Sequence, residues 1–95
     1  MKTKAEYHSK MQMQLKDWSQ KIAILRVEAD RQGGETKTKY IQQVEDLSDK
    51  MIAIQTTLDQ LKHASGKRWI HVKRGMDKSL AELKSCFERT ALEII

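Results

Sequence analysis

Ala29-Asp30-Arg31-Gln32-Gly33-Gly34-Glu35-Thr36-Lys37-Thr38-Lys39-Tyr40 is the stretch on which the fold turns. On its N-terminal side apolar residues recur at Tyr7, Met11, Leu15, Trp18, Ile22, Leu25 and Ala29. On its C-terminal side they recur at Tyr40, Val44, Leu47, Met51, Ile54, Leu58 and Leu61. From Leu15 onward both sets alternate steps of three and four, the spacing of a helical seam that packs on other helices. Whether the two seams belong to one helix or two depends on Gly33-Gly34. A pair of glycines punctuates a helix, which favours a turn. Ala29 and Tyr40 are nevertheless eleven residues apart, and eleven residues make three turns. The seams therefore stay in phase if the helix runs straight through, at a cost of roughly 2 kcal/mol for two interior glycines.

Thr3 and Glu6 form the Thr-x-x-Glu pattern of a helix start, in which the hydroxyl accepts from a free backbone N–H. Arg26 and Arg31 lie near the end of this first segment and Lys62 and His63 near the end of the second, where positive charge suits the helix dipole. Ser65-Gly66 marks another break, after which Trp69, Val72, Met76, Leu80, Leu83, Phe87, Ala91 and Ile94 form a third stripe. The expected helices are 3–32, 35–64 and 67–95, each a rod of roughly 45 Å. Three matched rods with short connections predict an all-α, antiparallel three-helix coiled-coil bundle forming a single domain over 1–95. Its seam is Leu15, Trp18, Ile22, Leu25, Val44, Leu47, Met51, Ile54, Leu58, Met76, Leu80, Leu83 and Phe87. The alternative is one long helix with a shorter return helix, completed by dimerisation. Periodicity leaves both open.

Composition agrees with long helices. The 95 residues contain no proline and are 33% charged, a balance typical of helices that bury a single stripe. No apolar run exceeds Ile22–Leu25, far too short to cross a membrane. The N-terminal Met-Lys-Thr-Lys-Ala-Glu does not read as a secretory leader. Cys86 is the only cysteine, so no internal disulfide supports the fold and a cytoplasmic location is expected.

Little in the sequence resembles catalytic chemistry. His8, His63 and His71 have no metal-ligand spacing to a cysteine or carboxylate. The carboxylates sit among lysines, as in Glu6–Lys10 and Asp46–Lys50, a pattern of solvated helices. Cys86 beside Phe87 reads as a packing residue. We therefore expect no enzyme, no cofactor, no metal and no small-molecule substrate. The most distinctive cluster is Lys62, Lys67, Arg68, His71, Lys73, Arg74 and Lys78 with Trp69, opposed only by Asp77. Lys67 and Arg68 in the first turn of a third helix oppose its dipole by about 0.3–1 kcal/mol each. An anion at this corner, either nucleic acid or the headgroups of an anionic membrane, would account for that arrangement. The competing account makes Trp69 a core anchor and the charges a solvated face. A third class is protein binding or self-association through the seam, with Met11, Met13, Met51 and Met76 as adaptable contacts.

Tyr7, Met11, Leu15, Trp18 and Ile22, then Tyr40, Ile41, Glu45 and Leu47, then Leu61-Lys62-His63-Ala64-Ser65-Gly66 with Trp69, Val72, Lys73 and Gly75 carry a resemblance. Together they resemble a family of short coiled-coil proteins of cyanobacteria and proteobacteria, labelled stress-response proteins of unknown function. The resemblance implies a helical scaffold or interaction protein, associated with stress, without cofactor or active site. The chain departs from the family at Gly33-Gly34, where members carry alanine and lysine. It departs again at Lys67-Arg68 and Lys73-Arg74, where members are acidic or mixed. The basic corner is therefore not expected to be a function of the family.

Overall fold

The computed structural model describes residues 3–94. Met1 and Lys2, which begin the stretch read against a leader, and Ile95, the expected last residue of the third helix, lie outside the described residues. The chain forms α1 (Lys4–Asp30), α2 (Gly34–Leu61) and α3 (Gly66–Ile94), with no strand among the described residues. They pack as an up-down-up bundle measuring 51 × 18 × 18 Å.

Gly33-Gly34 is a turn, and the single long helix is not the fold. Gly33 is extended at φ −107°, and Gly34 sits in the left-handed region at φ +58°. An L-residue pays about 1–2 kcal/mol to adopt that conformation and glycine does not. The second turn uses the same device, with Gly66 at φ +57°. There α2 ends at Leu61, three residues before the expected Ala64. The backbone N–H groups of His63 and Ala64 bond to Gln60 and Leu61 instead of continuing the helix, and Ala64 folds into the interior at 1% exposure. At the N-terminus the Thr3 hydroxyl accepts from the Glu6 N–H at 3.1 Å, as the capping pattern requires.

The seam residues converge. Leu25, Val44, Leu47, Leu58, Leu61, Met76 and Leu83 are almost completely buried. Four of the seam residues, Trp18, Met51, Leu80 and Phe87, are only half-buried and pack against the edge of the core. Met51 borders a groove between α1 and α2, and for Trp18, Leu80 and Phe87 the reason is the unequal spacing of the helices. α2 lies closely along both partners, whereas α1 and α3 approach each other more sparsely. Aromatic pairs fill the wider gap: Tyr7 meets Trp69 edge-on at 6.0 Å, and Trp18 meets Phe87 edge-on at 5.1 Å. Such pairs contribute about 0.5–1.5 kcal/mol each beyond their buried area.

Candidate functional site

The basic cluster divides when folded. Lys67, His71, Arg74 and Lys78 are spaced four, three and four residues apart and so lie on one side of α3, pointing away from the seam. All four are exposed, as are Arg68 and Lys62 beside them. Among the described residues, no carboxylate pairs with any of these fixed charges. Lys67 and Arg68 do occupy the first turn of α3, which holds no acidic residue. The dipole conflict expected there is real, and solvent screening keeps it small.

Trp69 and Lys73 face elsewhere. Trp69 is half-buried against Tyr7 with its indole N–H enclosed and unpartnered. Lys73 is half-buried and reaches Asp77 at 3.7 Å, with its ammonium 5.4 Å from the centre of the Tyr7 ring. Asp77, the one acid in the stretch, turns toward α1 and accepts a hydrogen bond from the Tyr7 hydroxyl at 2.6 Å. These four residues form a latch between α1 and α3, apart from the basic line. The pairing was not readable in the sequence because Tyr7 and Asp77 are seventy residues apart.

Burial, then the hydrogen bond to Asp77 and that residue's negative charge, push the Tyr7 phenol well above its ordinary value. The folded state thus holds the neutral phenol more tightly than the unfolded chain does. That contribution is complete below about pH 10, the unfolded tyrosine value. It is lost as pH rises toward the higher folded value. Between about pH 10 and 11 the wild type should lose about 1 kcal/mol more stability than Tyr7→Phe. Denaturant unfolding of both chains across this range checks it, and equal slopes would remove the latch from the alkaline limb.

Lys4 supplies a second contact invisible in the sequence. Its ammonium donates to the carbonyl of Lys62 at 3.0 Å and to that of Ala64. A cation from α1 therefore meets the free carbonyls at the end of α2, where the dipole is negative. Lys62, expected to play that part with its side chain, is the C-cap residue and offers its carbonyl instead. Arg31 caps α1 and pairs with Glu28 at 3.1 Å.

The surface hollows are open grooves between helices. One of about 560 Å³ between α2 and α3 is lined by Cys86, Asp46, Asp49, Lys50, Arg89 and Glu93, among others. Cys86 is half-buried there and accepts from the Arg89 guanidinium at 3.3 Å. Among the described residues, no group of three or more His, Cys, Asp or Glu is placed to hold a metal ion. No described helix is long and apolar enough to cross a membrane.

The remaining surface feature escaped the sequence reading. Met13, Ile24 and Val27 are 70%, 59% and 51% exposed. Their spacing of eleven and three residues puts them on one side of α1, opposite its seam. The signal was present as a second heptad line, Met13-Asp17-Gln20-Ile24-Val27-Arg31, weaker than the inner one because half its members are polar.

No protein-family profile, curated protein or solved structure matches the chain.

Proposed function

We propose that this chain is a non-catalytic helical interaction module of the cytoplasm, and that its partner-facing surface is the outward side of α1. The observation that supports this is the exposure of Ile24 and Val27 in helical register, with Met13 one turn-set away on the same side. Single exposed apolar residues, such as Ile52, Ile70 and Leu92 on the other two helices, are ordinary, but aligned ones on one helix face mark a contact surface. They add nothing to the bundle's own core. An association with stress rests on the family resemblance alone.

A photo-crosslinking residue at Val27 in the intact chain, expressed in its host, tests this reading. The expected result is a discrete protein adduct at position 27, none at Ser85 on α3, and loss of the adduct when Ile24→Asp is added. No adduct, or one insensitive to Ile24→Asp, would dismiss the α1 surface.

The line Lys67, His71, Arg74 and Lys78 favours a second reading, a weak anion-binding face. Four or five phosphate contacts would give a salt slope near −4 and a loss of about two orders of magnitude in affinity between 50 and 200 mM salt. Titration of duplex DNA and of anionic vesicles, with Arg74→Glu as the control, decides it. Absence of binding even at low salt eliminates this reading.

A further inference from the structure

The charges bordering the apolar strip of α1 follow an order that selects its occupant. Along the outward side and one flank run Asp17, Lys21, Ile24, Glu28 and Arg31, at steps of four, three, four and three residues, with the Lys21 ammonium 4.7 Å from the centre of the Trp18 ring at the α1–α3 edge of that flank. The signs read negative, positive, neutral, negative, positive. Turned end for end about Ile24, the pattern becomes its own complement. Asp17 then stands opposite Arg31 of a second copy, and Lys21 opposite Glu28. On the other flank Lys16 and Asp30 come within a lysine's reach by the same turn. All of these charges but Glu28 are exposed, and Glu28 is half-buried.

We infer that α1 pairs with α1 of a second copy of this chain, antiparallel and two-fold symmetric, with Ile24 near the axis. This rests on the reading of the outward α1 side as the partner surface, and names the partner. A two-fold interface is self-complementary, so every contact occurs twice. Around the axis Ile24 meets Ile24, and Val27 lies against Gln20 of the second copy on the flank opposite Lys21 and Glu28. Asp17–Arg31 and Lys21–Glu28 pairs then close both ends. Parallel pairing in register is excluded by the same charges, since each would face its own kind. Glu28 already holds Arg31 at 3.1 Å within one chain, and in the pair it would sit between that arginine and the Lys21 of the second copy. The strip is short and half polar, so the association is weak and concentration-dependent, and sensitive to salt at its rim.

Sedimentation equilibrium of the full chain over a wide concentration range tests this. The expected average mass rises from 11.1 kDa toward twice that value. Ile24→Asp, at an exposed position, should leave the helical signal and melting curve of the dilute chain unchanged and weaken association at least tenfold. Asp17→Lys should weaken it too, and Asp17→Lys combined with Arg31→Asp should restore it. In a Cys86→Ser background, Ile24→Cys should oxidise to a covalent dimer, whereas Met13→Cys should not, because antiparallel pairing carries the two copies of residue 13 far apart. A chain monomeric at every concentration, a dimer that survives Ile24→Asp, or cross-linking at both positions would each overturn the inference. If the chain stays monomeric while the crosslinker at Val27 captures a different protein, self-pairing fails and the interaction reading stands. If neither forms, both fail.

Discussion

Leu47→Ala should lower the unfolding free energy by about 2–5 kcal/mol and Leu80→Ala by about half as much. Both leucines occupy the same periodic stripe pattern, so periodicity alone assigns them equal weight. The folded chain separates them. Leu47 is 1% exposed in the middle of α2, the helix that packs closely on both others. Leu80 is half-buried in the wider gap between α1 and α3, beside Trp18 and Phe87. Truncation at Leu47 leaves a cavity within the core, beneath the groove between α2 and α3, which cannot close without moving closely packed helices. Truncation at Leu80 deepens a groove already open to water, and water fills it. A domain of this size is held by only about 5–15 kcal/mol in all. Leu47→Ala should therefore reduce the melting temperature by about 10–30 °C. Thermal unfolding followed by circular dichroism measures both variants. Equal losses would show that α1 and α3 close on each other as tightly as they close on α2.

The same contrast shows what the sequence could carry. The inward stripe was legible because a helix must repeat every three or four residues, and Leu15, Ile22, Leu25, Val44, Leu58 and Leu83 could not all be apolar at that spacing by chance. The depth of each residue was not legible, because depth depends on how far apart the helices stand. Trp18 and Phe87 hold α1 away from α3, an effect of shape that no period records. The turn at Gly33-Gly34 was legible only as one of two solutions, since eleven residues between Ala29 and Tyr40 suit a straight helix as well as a reversal. At the basic corner, nearness along the chain grouped Lys62, Lys67, Arg68, His71, Lys73, Arg74 and Lys78 with Trp69. It could not show that Trp69 and Lys73 turn toward Tyr7, because those contacts join residues more than sixty positions apart. Lys4 at the end of α2 is hidden for the same reason. The outward line on α1 was within reach of the same periodic reading, but polar members dilute it, and only exposure separates it from the inner line.

Replacing both glycines, Gly33→Ala with Gly34→Ala, should change the topology and not merely weaken it. Gly34 stands at φ +58°, where alanine is disfavoured by about 1–2 kcal/mol. A Cβ added at either glycine meets no neighbour within 4 Å, so the strain lies in the backbone and not in crowding. The straight alternative gains at the same time, because two glycines in a helix interior cost about 2 kcal/mol that alanine does not. The two effects add, moving the balance by about 3–4 kcal/mol per chain toward a continuous α1–α2 helix. The seam permits this, since Ala29 and Tyr40 remain in phase across three turns. A chain opened in this way exposes the α1 and α2 stripes, which a second opened chain can cover by exchanging the same elements. Spin labels at Ser19 and Gln55 distinguish the two states. Both residues line one groove between α1 and α2 in the closed bundle. In a continuous helix they lie about 54 Å apart within one chain. Labelled chains diluted into an excess of unlabelled ones report the intrachain distance alone. Ile24→Asp in the background removes any pairing through the outward side of α1. The expected result is a shift from the short distance to the long one, with a dimer in place of the monomer. A short distance retained with a lowered melting temperature would mean that packing along the seam holds the reversal against the helix that its own sequence would allow.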